Sequence, residues 1–99
     1  MKPLKIIWMP QAQQDLRDIR EFISRDAPVT ADIFVRRIRS AVSHLRQFPE
    51  FGAVVRERKN PNIREIFQGS YRIIYRIQID RIEVLTVFHG ARLLDSPEA

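Results

Sequence analysis

Apolar residues recur at every second position in one part of the chain and at every third or fourth in another, and the two periods separate strands from helices. From Tyr71 the odd positions run Tyr71, Ile73, Tyr75, Ile77, Ile79, and the even ones Arg72, Ile74, Arg76, Gln78. This alternation, rich in β-branched and aromatic residues, predicts a strand with one apolar and one mixed face. Asp80-Arg81 then turns the chain, and residues 82–88 are apolar on both faces, as in a central strand. A shorter strand over 63–67 joins at Gln68-Gly69-Ser70, where Gly-Ser suits a tight hairpin. Near the start, residues 4–9 form a short strand with Leu4, Ile6 and Trp8 on one face.

The helical period occupies the stretch between. Ala12, Leu16, Ile19 and Ile23, widened by Phe22, mark a helix over about 10–25 that Pro10 can open. Asp26-Ala27-Pro28 ends it, because the residue before a proline avoids helical angles. Ala31, Phe34, Ile38, Ala41, Val42 and Leu45 mark the second helix, with Asp32 placed to pair with Arg36 one turn on. So short a connection makes a helical hairpin. Phe48-Pro49-Glu50-Phe51-Gly52 turns the chain toward the sheet; residues 53–58 read as a short edge strand and Asn60-Pro61-Asn62 as a further turn. The order β-α-α-β-β-β-β implies a two-layer α+β domain, the hairpin packed on one face of an antiparallel sheet, over a single domain 1–99. The expected core holds Leu16, Ile19, Ile23, Phe34, Ile38, Ile73, Tyr75 and Val84. Residues 93–99 read as a short tail.

With two-residue loops at both sheet turns, Phe67 faces Arg72, Glu65 faces Ile74, and Arg72 faces His89. One face then collects Ile66, Ile73, Tyr75, Ile77, Val84, Thr86 and Phe88 as core. The other collects Phe67, Glu65, Arg72, Arg76, Gln78, Glu83 and His89, with Ile63, Ile74, Leu85 and Val87 between them, and nothing obvious in the chain covers it. A one-residue slip exchanges the faces.

Composition narrows the partners. The chain has 99 residues, 17 Lys and Arg against 12 Asp and Glu, and only Lys2, Lys5 and Lys59 among the cations are lysines. An arginine-rich surface favours carboxylates and phosphates, hence nucleic acid or an acidic protein segment. No cysteine is present, which removes disulfides and thiolate chemistry and fits the cytosol. No signal peptide or membrane span is expected. His44 and His89 are the only histidines; His44 reads as a surface residue, and no metal motif, phosphate-cradling glycine loop or Ser/His/Asp triad emerges, so no metal or cofactor is expected.

One constellation could carry chemistry. The imidazole of His89 could serve as general acid or base, Arg72 and Arg76 could hold a phosphate, and Glu65 could be a base or an ion-pair partner. Together they would suit RNA cleavage; the same residues also make an ordinary solvated sheet face with cross-strand ion pairs.

The element order, F-P-E-F-G at 48–52, N-I-R-E-I-F-Q-G-S-Y-R-I-I-Y-R at 62–76 and V-F-H-G-A-R at 87–92 together resemble the RelE/ParE superfamily, the toxins of type II toxin–antitoxin systems, often labelled plasmid-stabilisation proteins. The resemblance implies strand order 1-5-4-3-2 and a cytoplasmic bacterial protein encoded with an antitoxin whose C-terminal segment wraps and neutralises it. RelE-like members cut mRNA on the ribosome with basic residues that commonly include lysines; ParE-like members inhibit DNA gyrase and carry no recognised nuclease site. Here the central strands hold no lysine, Gly90 follows His89, and the long helical hairpin and H-G-A-R ending look more like ParE. The expectation is a gyrase inhibitor that binds its target through Arg36, Arg37 and Arg39 and its antitoxin through Arg72, Ile74, Arg76, Leu85 and Val87. The alternatives are a ribosome-dependent mRNA endonuclease using His89, Arg72, Arg76 and Glu65, and a non-toxic binding module of the same fold. Homodimer and toxin–antitoxin heterotetramer both stay open.

Overall fold

A computed structural model describes residues 2–90 of the chain. Strand β1 (Lys5–Trp8) leads into helices α1 (Pro10–Ser24) and α2 (Pro28–His44), then a 3-10 turn at Pro49–Phe51, and strands β2 (Ala53–Val54), β3 (Ile63–Gln68), β4 (Tyr71–Ile77) and β5 (Arg81–His89). Each helix has a proline in its first turn, where the missing N–H costs no intrahelical bond. The sheet order is β1-β5-β4-β3-β2. It is mixed, not wholly antiparallel: β1 runs parallel to β5, with Ile6 opposite Ile82 and Trp8 opposite Val84, while the other pairs are antiparallel. The helical hairpin between β1 and β2 is what carries the chain away and returns it at the opposite edge.

The helices cover one sheet face. Ala12, Leu16, Ile19, Ile38, Val42 and Leu45 pack on Ile66, Ile73, Tyr75, Ile82, Val84 and Val87, with Ile23 and Phe34 partly buried at the margin. Two helix expectations fail. Phe22 is 65% exposed, one step off the buried stripe. Asp32 pairs with Arg20 of α1 at 2.6 Å and not with Arg36, so the charge ties the two helices together.

Tyr75 anchors the turn after α2 from inside the core. Its hydroxyl donates to the Pro49 carbonyl at 2.6 Å and accepts from the Gly52 N–H at 2.9 Å. A Cβ on Gly52 would lie 2.5 Å from the Glu65 carbonyl oxygen, so the close approach of this turn to β3 requires glycine. Arg64 grips the same turn from β3, donating to the carbonyls of Glu50 and Gly52. The turn holds Phe48 and Phe51 outward beside His44, which stacks on Phe48.

Gly69 and Ser70 connect β3 to β4, and among the described residues Gly69 alone has a positive φ, 59°, which fits glycine at the first position of a II′ hairpin turn. Phe67 pairs with Arg72 and Glu65 with Ile74, as a two-residue loop dictates.

Candidate functional site

The register between β4 and β5 decides which side chains meet. The turn centres on Ile79-Asp80, closed by the Gln78 N–H donating to the Arg81 carbonyl, one residue earlier than Asp80-Arg81. Ile77 therefore pairs with Ile82, Tyr75 with Val84 and Arg76 with Glu83. That displaces β5 by two residues and keeps its faces unchanged. The pairing then shifts by one: Tyr75 faces Val84, but Ile74 faces Thr86, leaving Leu85 as the extra residue of a β-bulge. Beyond the bulge the faces are exchanged. Val87 turns into the core beneath the helices, Phe88 joins the open face opposite Arg72, and His89 lies opposite Tyr71, whose ring it meets edge-on at 5.5 Å.

Asp15 of α1 holds this bulge. Its carboxylate accepts from the Thr86 hydroxyl at 2.5 Å and from the Val87 N–H at 2.8 Å, a donor that the bulge removes from the ladder. Asp15→Ala strands that N–H and is expected to cost about 1–3 kcal/mol. Asp15→Asn keeps an acceptor and should recover most of it. Urea midpoints of the two variants check this.

The open face is covered in part, against expectation. After β2 the chain crosses it: Val55 is fully buried against Ile74, with its N–H bonded to the Ile63 carbonyl. Two residues on, Glu57 reaches Arg72 at 3.2 Å. Arg72 also holds Glu65 through its Nε, at 2.6 Å, and its guanidinium stands 5.3 Å from the Phe88 ring. Burial opposes its charge, but the hydrogen bonds and charges of Glu57 and Glu65 outweigh that and raise its pKa above the ordinary arginine value. Four residues further along β4, Arg76 binds Glu83 at 2.6 Å, and Gln78 and Arg81 donate to the same carboxylate. No buried side-chain nitrogen or oxygen among the described residues lacks a hydrogen-bond partner.

Glu83 is held below the ordinary carboxylate range, chiefly by the Arg76 hydrogen bond, against the effect of burial, with Gln78, Arg81 and the Arg76 charge adding to it. A depressed folded-state pKa adds stability above the unfolded value and loses it as pH falls through the folded one. Wild type and Glu83→Gln should therefore differ most in urea midpoint at neutral pH and converge in acid.

The catalytic candidates are thus divided. Arg72, Arg76 and Glu65 share the open face, and the arginines are already closed on carboxylates of the same chain. His89 lies on the other face, beside Tyr71 and a groove that α1 lines with Asp15, Asp18 and Glu21. Of the residues expected to meet an antitoxin, Ile74 lies under Val55 and Val87 in the helix-side core, because the crossing segment and the bulge respectively remove them from the surface. Arg76 and Leu85 keep partial exposure, and Arg36, Arg37 and Arg39 are exposed on α2. Arg39 leans over Trp8, 5.3 Å from its ring. Arg92, Leu93 and Leu94 lie outside the described residues.

Sequence reasoning missed Asp15, Glu57 and the hydroxyl of Tyr75. Asp15 stands three residues after Ala12 and four before Ile19, a carboxylate on the edge of the buried stripe of α1, and that placement was a readable signal. A tyrosine flanked by Ile73 and Ile77 on the core face of its strand was another, since a buried hydroxyl needs a partner. Among the described residues no three His, Cys, Asp or Glu side chains form a group that could hold a metal, and no helix is long and apolar enough to cross a membrane.

A hairpin of two helices on a five-stranded sheet of order 1-5-4-3-2 defines a small α+β domain of RelE/ParE-like fold, here with an arginine-rich face closed by its own acids. Residues 6–94 match the model of the ParE toxin of type II toxin–antitoxin systems, parDE, and the chain belongs to that family. The Sinorhizobium fredii protein Y4kP is 35% identical over 92 residues, covering 91% of this chain and 92% of its own. Toxin RelE2 of Caulobacter vibrioides is 27% identical over 90 residues, covering 90% and 98%. Among solved structures, the chromosomal ParDE system of P. aeruginosa superposes with a TM-score of 0.73 at 22% identity, covering 87% of this chain and 95% of that one. The toxin–antitoxin complex RelBE2 of Mycobacterium tuberculosis does so at 0.64 and 23%, covering 93% and 97%.

Proposed function

We propose that this toxin acts by binding DNA gyrase directly, without catalysis of its own, and that a cognate antitoxin silences it. The observation that carries the reading is the separation of His89 from Arg72, Arg76 and Glu65 by the β5 bulge. Cleavage of a phosphodiester needs a base, an acid and charge stabilisation converging on one phosphate. Here the histidine faces away, and both arginines are neutralised in place. The match to the ParE family supports the gyrase target. The similar ParDE and RelBE2 structures are of toxin–antitoxin systems, which supports an antitoxin partner. Its docking surface is the uncovered part of the open face, where Arg76, Leu85, Phe88 and the exposed Phe67 offer charge and apolar area to an acidic amphipathic segment. Arg36, Arg37 and Arg39 on α2 face the target.

Purified protein is expected to inhibit gyrase supercoiling, and His89→Ala to inhibit it equally. Codon-associated mRNA cleavage on translating ribosomes, lost by roughly 10²–10⁴-fold in His89→Ala, would overturn the reading in favour of a ribonuclease. Failure of the adjacent open reading frame's product to bind or protect would overturn the antitoxin part.

A further inference from the structure

Two shallow grooves flank Trp8, and every charged residue that lines them is a cation. One, of about 470 Å³, runs between β1 and α2 past Lys5, Arg39 and Arg46; the other, of about 230 Å³, lies between α1 and α2 past Arg17, Arg20 and Arg39. On the other face of α1 the balance reverses, where Asp15, Asp18 and Glu21, with Arg25, line the groove beside His89. Charge is therefore polarised in space, and the Trp8 side concentrates it well beyond what a net charge of +5 spread evenly would give.

We propose that the Trp8 grooves bind the phosphate backbone of duplex DNA, without selecting base sequence. Two observations favour a backbone over other anions. The Trp8 ring already carries the Arg39 guanidinium, so it offers no open platform for a stacked base. The grooves also lack the apolar anchors a bound acidic peptide depends on; Ile7, 41% exposed, is the one large exposed apolar side chain in them, whereas Phe48, Phe51, Phe22 and Phe67 lie elsewhere. Duplex DNA presents one charge per about 1.7 Å of axis, a density suited to a row of arginine forks. Arg20 is tied to the carboxylate of Asp32 and Arg46 gives its Nε to the Leu4 carbonyl, whereas Arg17 donates only to the neutral Gln14 side chain and keeps its charge uncompensated there, so Lys5, Arg17 and Arg39 are the principal phosphate contacts. The choice of DNA over RNA rests on the gyrase reading; the choice of a phosphate backbone rests on the grooves.

Fluorescence anisotropy of a short labelled duplex with the purified protein tests this in the absence of gyrase, so a negative result leaves gyrase inhibition standing. Trp8 is the single tryptophan, and its emission reports occupancy directly. Binding is expected to weaken with salt, with a log–log slope of about −2 to −4, corresponding to two to four phosphates. Arg17→Glu with Arg39→Glu should weaken it at least about tenfold. Arg56→Glu with Lys59→Glu, an equal charge change on exposed residues outside the grooves, should weaken it far less. Equal losses in the two double variants, or no binding at low salt, would overturn the proposal. So would displacement of the duplex by polyglutamate at equal charge, which would make the partner an acidic protein. Tighter binding of single-stranded RNA of equal length would overturn the assignment to DNA.

Discussion

Arg72→Ala is expected to lose about 3–5 kcal/mol of folding stability, the usual cost of removing one partner from a buried ion pair. The Arg72 side chain is only 8% exposed and serves two carboxylates, Glu65 and Glu57, themselves 16% and 30% exposed. Its removal leaves Glu65 in a half-buried site with no compensating cation and releases the segment that Glu57 ties across the open face. It also takes the guanidinium from beside Phe88. Arg72→Leu combined with Glu65→Leu should be markedly more stable than Arg72→Ala, because the more deeply buried of the two carboxylates is then removed together with its cation. Urea unfolding of the single and double variants measures the difference. If Arg72→Ala costs under about 1 kcal/mol, the pair behaves as a surface ion pair and the arginine is free for another task. The outcome bears on function, since lost toxicity in this variant would follow from lost stability and would not identify a catalytic arginine.

Tyr75→Phe is expected to be the largest effect of any single-atom deletion in the core, about 2–4 kcal/mol. The hydroxyl satisfies two backbone groups at once, the Pro49 carbonyl and the Gly52 N–H, and each one left without a partner costs about 1–3 kcal/mol. Water has little room to replace it, since Tyr75 is fully buried and Gly52 packs against its ring. The turn that presents Phe48 and Phe51 would loosen, so amide exchange at Gly52 should accelerate more than exchange along β4. Burial raises the Tyr75 pKa above its ordinary value of 10.0, with the Gly52 hydrogen bond and the Arg64 charge opposing. A raised folded-state pKa means the contribution is whole below the unfolded value and is lost as pH rises through the folded one. The gap between wild type and Tyr75→Phe should therefore narrow in strong alkali. A constant gap across that range would show that the hydroxyl stays protonated or that its bonds matter little.

Local chemistry along the chain suffices for most of the architecture. The 3.6-residue stripes of Ala12 to Ile19 and Ala31 to Leu45 mark the buried faces of both helices, because a helix that packs on a sheet must keep one face apolar. Proline at the two helix starts and glycine at 69 act through their own backbone angles, and each works where it stands in sequence. The sheet order was foreseen from family resemblance, not from periodicity. What the sequence by itself determined, then, is the set of elements, the helix-side core up to Val84 of β5, and the β3–β4 register. Tertiary structure alone decided the rest of the candidate site. The stretch Val84-Leu85-Thr86-Val87-Phe88 has apolar groups on both faces, so a one-residue bulge leaves its pattern almost unchanged, and hydrophobicity cannot locate it. The bulge is secured by Asp15, more than seventy positions upstream, and through it Val87, Phe88 and His89 are assigned to their faces. In the same way Val55 and Glu57 come to lie over Ile74 and Arg72 because an apolar contact and an ion pair form between a loop and a strand across space, and alternation along one strand carries no record of what will later cover it.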